Sequence, residues 1–342
     1  MKKRIRIALL ALLLILLLVL ALAGGLWLGG RAAVHRNIAQ ALPEQQPASS
    51  GADAPAEDGL VHYNGKTYRY NENLITALCM GIDEDLGAGS TEWGHSGQAD
   101  SIFLAVIDDR TGQVRLISIS RDTMTEVEVY DAEGNYQGLA VDHLAVGYAY
   151  GDGAQASCEM MVRNVSRLFY DIPINLYVTV EMQAIAPLND AVGGVTVTAP
   201  DNDLNYSPYY LTQGQTVTLK GGMARAFVQT RNTERDGSNN TRMARQKQYA
   251  VAFVQAAKQA IRTNPALVMD LYNTVTPYMV TNVGVNQAVY LASRALGFSF
   301  SEEDICSVAG ENRYGGQYDE FYADDLALYE LILDTFYTEV TA

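Results

Sequence analysis

Residues 231–246, RNTERDGSNNTRMARQ, put four arginines, Arg231, Arg235, Arg242 and Arg245, into sixteen positions of a 342-residue chain whose net charge is −15. A guanidinium is a planar fork of N–H donors that pairs with phosphate or carboxylate oxygens two at a time. Apolar residues at Met243, Ala250, Val254, Ala257 and Ile261 predict a helix over 241–262, with Asn240 as its N-cap and Pro265 just beyond its end. Arg242 and Arg245 then share one face of the first turn. Unsatisfied N–H groups and the positive end of the helix dipole point there too, so the place suits an anion. Cations at a helix start weaken the helix by themselves, and a bound phosphate would compensate. The alternative is that these arginines pair with surplus acids on the surface, where each pair contributes about 0–1 kcal/mol.

A second set of charges lies at the ends of apolar runs. SISRDT delivers Arg121 and Asp122 where a buried strand finishes, a common position for sites in open α/β sheets, with a salt bridge or a turn cap as the plainer reading. QADSIF puts Asp100 at a strand start, and GIDED puts Asp83 just after a strand, with Asp85 and Asp236 as further members. Such acids can together bind a hard divalent cation, Mg²⁺ or Mn²⁺, which needs oxygen ligands and bridges phosphates. No zinc spacing joins His35, His62, His95 or His143, and Cys79, Cys158 and Cys306 are too few and too far apart for a disulfide framework. GHSGQ at 94–98 lacks the last glycine of a nucleophile elbow, and DAVGGV reads as a tight turn rather than a nucleotide cradle.

The elements that must position these side chains alternate in type. LVHYNGKTYRY has an Asn-Gly turn between two aromatic-rich runs and predicts a hairpin. NLITALCMGID, SIFLAVID, QVRLISIS and INLYVTV read as strands, the middle two antiparallel neighbours joined by DRTG. Residues 155–170 have helical spacing, and MQAIAPLNDAVGGVTV predicts a short helix, a Gly-Gly turn and a strand. Strands alternating with helices imply an α/β domain with a largely covered sheet. No repeat is present, and residues 266–342 read as helical segments around SEEDICSVAG.

The first 36 residues hold six of the 24 basic side chains and none of the 39 acidic ones, so the rest is strongly acidic and repels nucleic acid. Ile7–Gly30 is uncharged and long enough to span a bilayer, which takes about 20 apolar residues. A retained anchor is therefore expected, with a cleavable signal peptide as the alternative. Lys2, Lys3, Arg4 and Arg6 place the N-terminus in the cytoplasm and the rest outside the cell. Ala-, Pro- and Gln-rich residues follow. The expected organisation is a cytoplasmic tip and anchor over 1–30, a disordered stalk over 31–58, a catalytic domain over 59–262 and a helical C-terminal extension over 263–342.

NENLITALCMGID, ADSIFLAVID, LISISRDT, HLAVGYAYGDG, DAVGGV, LKGGMARAFVQTR and DGSNNTRMARQKQ occur in an order and spacing that resembles the LytR-CpsA-Psr family of Gram-positive envelope proteins, over roughly residues 70–260. The resemblance implies a three-layer α/β/α sandwich around a mixed sheet. It also implies transfer of an anionic glycopolymer, of the teichoic acid or capsule kind, from a polyprenyl-pyrophosphate carrier to peptidoglycan through a phosphodiester. A pyrophosphatase and a non-catalytic scaffold that binds carrier or wall polymer are the alternatives. Carried over by motif, Asp100, Arg121 and Asp122 belong to the catalytic centre. Arg121, Arg231, Arg242 and Arg245 bind pyrophosphate, Asp100, Asp122 and Asp236 hold Mg²⁺, and an apolar pocket takes the prenyl chain. Asp83 and Arg235 are further candidates. Gln229 stands where the family has an arginine, with Arg225 or Arg235 as its replacement, and Gln98-Ala99 and Ser120 are other departures.

Overall fold

Asn64 and Gly65 both take positive φ, 51° and 74°, the conformation a two-residue hairpin turn requires, and the chain reverses there as its sequence predicts. The computed structural model describes residues 25–37, 60–82, 93–94, 97–206, 209–230, 238–316 and 318–340. It begins with helix α1 (25–37), the hairpin strands β1 (Leu60–Tyr63) and β2 (Lys66–Tyr70), then β3 (Leu74–Ile82), β4 (Ala99–Asp108) and β5 (Val114–Ile119). A ribbon of β6 (Met124–Tyr130) and β7 (Tyr136–His143) leads into α2 (Val146–Ala149), α3 (Gln155–Leu168) and β8 (Leu176–Glu181). Next come α4 (Ile185–Ala191), β9 (Val195–Thr198), β10 (Thr216–Leu219), α5 (Gly222–Gln229) and α6 (Ser238–Thr263). The last stretch holds α7 (Leu267–Val275), β11 (Met279–Thr281), α8 (Val285–Ala295), β12 (Ile305–Ser307), β13 (Gly310–Tyr314), β14 (Asp319–Ala323), α9 (Asp325–Phe336) and β15 (Tyr337–Glu339).

Six strands form a mixed sheet in the order β11-β8-β3-β4-β5-β12. β3 is parallel to β8 and antiparallel to β4, and β5 is antiparallel to β4 and parallel to β12. Side chains alternate across the sheet. Leu78, Leu104 and Ile117 point into a core closed by α3 and α9, through Met161, Val165, Ile332 and Phe336. Ile75 and Leu176 meet Tyr290 of α8 and Val34 of α1 on the other side. Helices thus cover both faces, the mixed α/β layering expected. A second core lies between the β9–β10 hairpin, α5 and α6.

Two expectations change. Residues 31–37, assigned to a stalk, continue α1, which docks on α8 where Trp27 Nε1 donates to Ser293 Oγ at 3.1 Å and packs edge-on against Tyr290. Most of the expected Ile7–Gly30 span lies outside the described residues, and among those described no helix is long and apolar enough to cross a membrane. Residues 263–342 do hold helices, α7, α8 and α9, the last two packed on the sheet, but they are more than an extension. They supply both edge strands of the central sheet, β11 and β12, and the third strand of the β1–β2–β15 sheet. Runs of three residues are too short for periodicity to reveal, so these strands were hidden between helical stretches.

The β6–β7 ribbon is fastened to α3 by charge. Glu128 is 6% exposed and accepts from Arg163 Nε at 2.9 Å and Nη2 at 2.7 Å, with Arg167 at 3.4 Å. Burial pushes its pKa up, but the hydrogen bonds and charge of Arg163, with help from Tyr130 and Arg167, more than offset this and leave it below the usual carboxylate value. A carboxylate depressed in the folded state stabilises the fold above its unfolded pKa, roughly 4.3, and loses that contribution as pH falls through the folded value. Glu128→Gln is expected to cost about 2 kcal/mol at neutral pH and to destabilise less below pH 4, as read by urea denaturation at both pH values.

Candidate active site

The end of β5 is fixed by one serine. Ser120, 7% exposed, accepts at its carbonyl from both Thr123 N (3.2 Å) and Thr123 Oγ1 (2.7 Å), while its hydroxyl accepts from Asp122 N at 3.3 Å. The carbonyls that follow are each taken as well. Arg121 O accepts from Ala145 N at 3.0 Å, Asp122 O from Phe321 N at 2.8 Å and Thr123 O from Leu144 N at 2.8 Å. A turn so fully satisfied has one conformation, and it presents the Arg121 and Asp122 side chains at the sheet's edge.

Asp100 comes from the neighbouring strand, where Ala99 N is held by Ala145 O at 3.3 Å. Arg121 Nη1 pairs with Asp100 Oδ1, Nη2 donates to Gln98 Oε1, and Nε lies 3.5 Å from Asp122 Oδ1. The side chains are 23%, 13% and 17% exposed for Arg121, Asp100 and Asp122, so the cluster opens to solvent on one side. It carries two carboxylates against one cation. Alone, it would repel a pyrophosphate, and further positive charge must join before an anion binds. Two hard oxygen donors suit Mg²⁺, which takes one or two carboxylates and completes its shell with phosphate and water. Among the described residues no set of three metal-ligating side chains converges.

The second source of charge is α6. Met243, Ala244 and Lys247 line a cavity of about 270 Å³ shared with Ser118, Ser120, Ser307, Val308 and Phe321. The first turns of α6 therefore face the β5 exit. Lys247 donates to Ser307 Oγ, and burial pushes its ammonium pKa down. Arg242, 6% exposed, precedes the cavity-lining Met243 on the same helix. The helix begins at Ser238, so Asn240 lies inside it rather than capping it. Arg242 and Arg245 consequently sit a turn deeper than expected.

The sequence pattern of the LytR_cpsA_psr family matches residues 38–332. The chain belongs to this family. Among curated relatives, Bacillus subtilis polyisoprenyl-teichoic acid–peptidoglycan teichoic acid transferase TagV is 24% identical over 281 residues, 80% of this chain and 66% of that protein. The transferase of the same description TagU from Bacillus licheniformis is 27% identical over 213 residues, 62% of this chain and 61% of that protein. The chain thus spans slightly less than two thirds of the relatives' length. Among solved structures, Bacillus subtilis TagV superimposes with a TM-score of 0.60 at 23% identity, covering 78% of this chain and 96% of that one. TagT bound to LI-WTA gives a TM-score of 0.58 at 20% identity, covering 77% and 89%. At these identities the structures show a shared fold.

Within this LytR_cpsA_psr protein the motif residues do not all meet at one point. Asp100, Arg121 and Asp122 form one cluster, and Gln98, noted in the sequence only as a departure, is a member of it. Arg231, Arg235, Asp236, Asp83 and Asp85 lie outside the described residues. Gln229 Oε1 accepts from Arg225 Nε at 2.9 Å, one turn earlier on α5, which holds a guanidinium beside the position where the family has an arginine. Arg245, expected on a phosphate, is 0% exposed, and all three of its nitrogens face protein oxygens. Nη1 bridges Asp201 (2.7 and 2.8 Å) and Asp203 (3.3 Å), Nε donates to Phe227 O at 2.8 Å, and Nη2 donates to Thr230 O. It is the cation that ties α6 to the 201–203 turn and to the end of α5. Motif spacing could not separate it from Arg242, because both face the same side of one helix. Removing it strands two carboxylates that are 9% and 5% exposed, so Arg245→Ala should lower unfolding free energy by about 3–5 kcal/mol in chemical denaturation.

Proposed function

We propose that this protein transfers an anionic glycopolymer from a polyprenyl-pyrophosphate carrier to peptidoglycan, forming a phosphodiester and releasing polyprenyl phosphate. Family membership and the names of the relatives support the reading at the level of the family's transferases. The observation that carries it for this chain is the Arg121 guanidinium, anchored between Asp100, Gln98 and Asp122 at the end of β5, a strand whose Ser118 and Ser120 share a cavity with Met243, Ala244 and Lys247 of α6.

An acceptor hydroxyl on the glycan, the 6-OH of N-acetylmuramic acid by family analogy, attacks the sugar-side phosphorus. A new P–O bond forms, the P–O bond to the bridging oxygen breaks, and that oxygen leaves with its electron pair on polyprenyl phosphate. Negative charge grows on the leaving oxygen. A guanidinium has five N–H donors, and stabilisation aimed at developing charge is usually the largest catalytic contribution. Arg121 supplies it already oriented, and Arg242 adds charge from α6. Asp100 is placed to take the acceptor's proton or to hold a cation with Asp122. Asp100 and Asp122 would hold Mg²⁺, which when bound would offset the cluster's negative charge and act as a Lewis acid toward the phosphates. The cavity's apolar wall of Met243, Ala244, Val308 and Phe321 suits the first isoprene units of the carrier. The apolar residues that precede α1 would anchor the chain, with its N-terminus in the cytoplasm and the domain on the outer face of the membrane.

The test uses the full chain in detergent, mixed with a prenyl-pyrophosphate glycan and peptidoglycan fragments, with Mg²⁺ or with EDTA. Mass spectrometry should find glycan joined to muramic acid through phosphate, with EDTA abolishing it and Arg121→Ala lowering the rate by about 10²–10³-fold. Prenyl phosphate released without joining would identify a pyrophosphatase, and lipid binding without turnover a scaffold.

A further inference from the structure

β7 presents an unusual outer row for a soluble surface. Leu139, Val141 and His143 lie two residues apart and so share one side of the strand. Leu139 is 43% and Val141 67% exposed. The row continues onto the next hairpin, where the His143 ring meets the Tyr318 ring edge-on at 6.2 Å and His143 Nε2 lies 3.0 Å from Asp319 O. Tyr318 is 64% exposed.

The row leads to the Arg121 cluster. The two residues after His143 donate to Thr123 O and Arg121 O, and Phe321, just beyond Tyr318, donates to Asp122 O. A molecule lying along Leu139, Val141 and Tyr318 therefore ends at the turn that carries the guanidinium. Charge decides what kind of molecule it is. Apart from Glu128, which Arg163 and Arg167 neutralise, residues 124–143 contain Glu126, Asp131, Glu133 and Asp142 without a lysine or arginine, and 318–323 add Asp319 and Glu320. Such a surface repels a phosphate-rich polymer and an anionic bilayer alike. An uncharged sugar is not repelled. Its C–H face packs on aliphatic and aromatic side chains, and its hydroxyls reach the Tyr318 hydroxyl and the Asp142–His143 pair, whose Oδ1 and Nδ1 are 3.2 Å apart.

We propose that this row is the bed for the uncharged sugar rings of the acceptor glycan strand, which it guides to the Arg121 centre. The inference rests on the transferase reading and assigns the acceptor a side of the site. Donor and acceptor then reach the β5 exit by different routes, the donor from the α6 cavity and the acceptor along β7.

The probe is a soluble tetramer of β-1,4-linked N-acetylglucosamine, titrated into the full chain in detergent by calorimetry. Tyr318→Ala and Val141→Ser should each weaken binding about tenfold, while Tyr318→Phe retains it, because the ring does the packing. Val285→Ser, an exposed position on α8 at the face of the sheet opposite α3 and α9, should bind as wild type. Absence of binding by the wild type, or equal binding by the row variants, overturns the proposal, as does loss of affinity for phosphatidylglycerol vesicles in place of the sugar. Binding needs no turnover, so sugar held by the row in a protein that joins no polymer would sink the transferase and leave the bed standing. Transfer with an unchanged acceptor KM in Tyr318→Ala would sink the bed alone.

Discussion

A guanidinium held by two carboxylates of neighbouring strand ends is the constraint to which the rest of the domain is fitted. In the proposed reaction Arg121 has to be semi-buried to act strongly on an anion, since charges in open water are screened to about 1 kcal/mol at contact distance. Semi-burial in turn needs partners, and Asp100, Asp122 and Gln98 provide them. Those partners leave the cluster net negative, which forces reliance on a cation or on arginines from another element. The fold answers by laying α6 across the exit of β5, with Lys247 and the residues after Arg242 facing it.

That placement depends on Arg245. A fully buried arginine costs several kcal/mol of desolvation unless every donor is matched. Here two aspartates and two carbonyls match it and weld three segments, the 201–203 turn, the end of α5 and the start of α6. One arginine of the motif thus serves the architecture of the α6 start. Gln229 shows the same economy in reverse, with a family arginine absent and Arg225 held beside its place.

Much of this was legible in the sequence. The Asn64-Gly65 hairpin, the β3, β4, β5 and β8 strands and the long α6 follow from turn chemistry and periodicity. Arg121, Asp122 and Asp100 were recognisable as charges at the ends of apolar strands, and they converge. Two kinds of fact were not legible. Short edge strands such as Met279–Thr281 and Ile305–Ser307 take their state from the neighbour they pair with, which a local pattern does not encode. Burial of a charged side chain is equally non-local. Nothing around Arg245 says that Asp201 and Asp203 wait for it, whereas Gln98 and Ser120 were visible as departures from the family pattern whose use only geometry reveals.

The edge strand β12 pairs with β5 across a sequence gap of about 190 residues, and β11 closes the other edge of the sheet from more than 100 residues beyond its partner β8. Until both have been made, β5 and β8 expose open ladders of N–H and C=O groups that invite pairing with another chain. For a chain emerging from a ribosome, the strand that delivers the arginine is thus among the last to be sealed. Maturation of the centre is tied to completion of the polypeptide, and a prematurely ended chain carries the motif residues on a sheet with bare, adhesive margins.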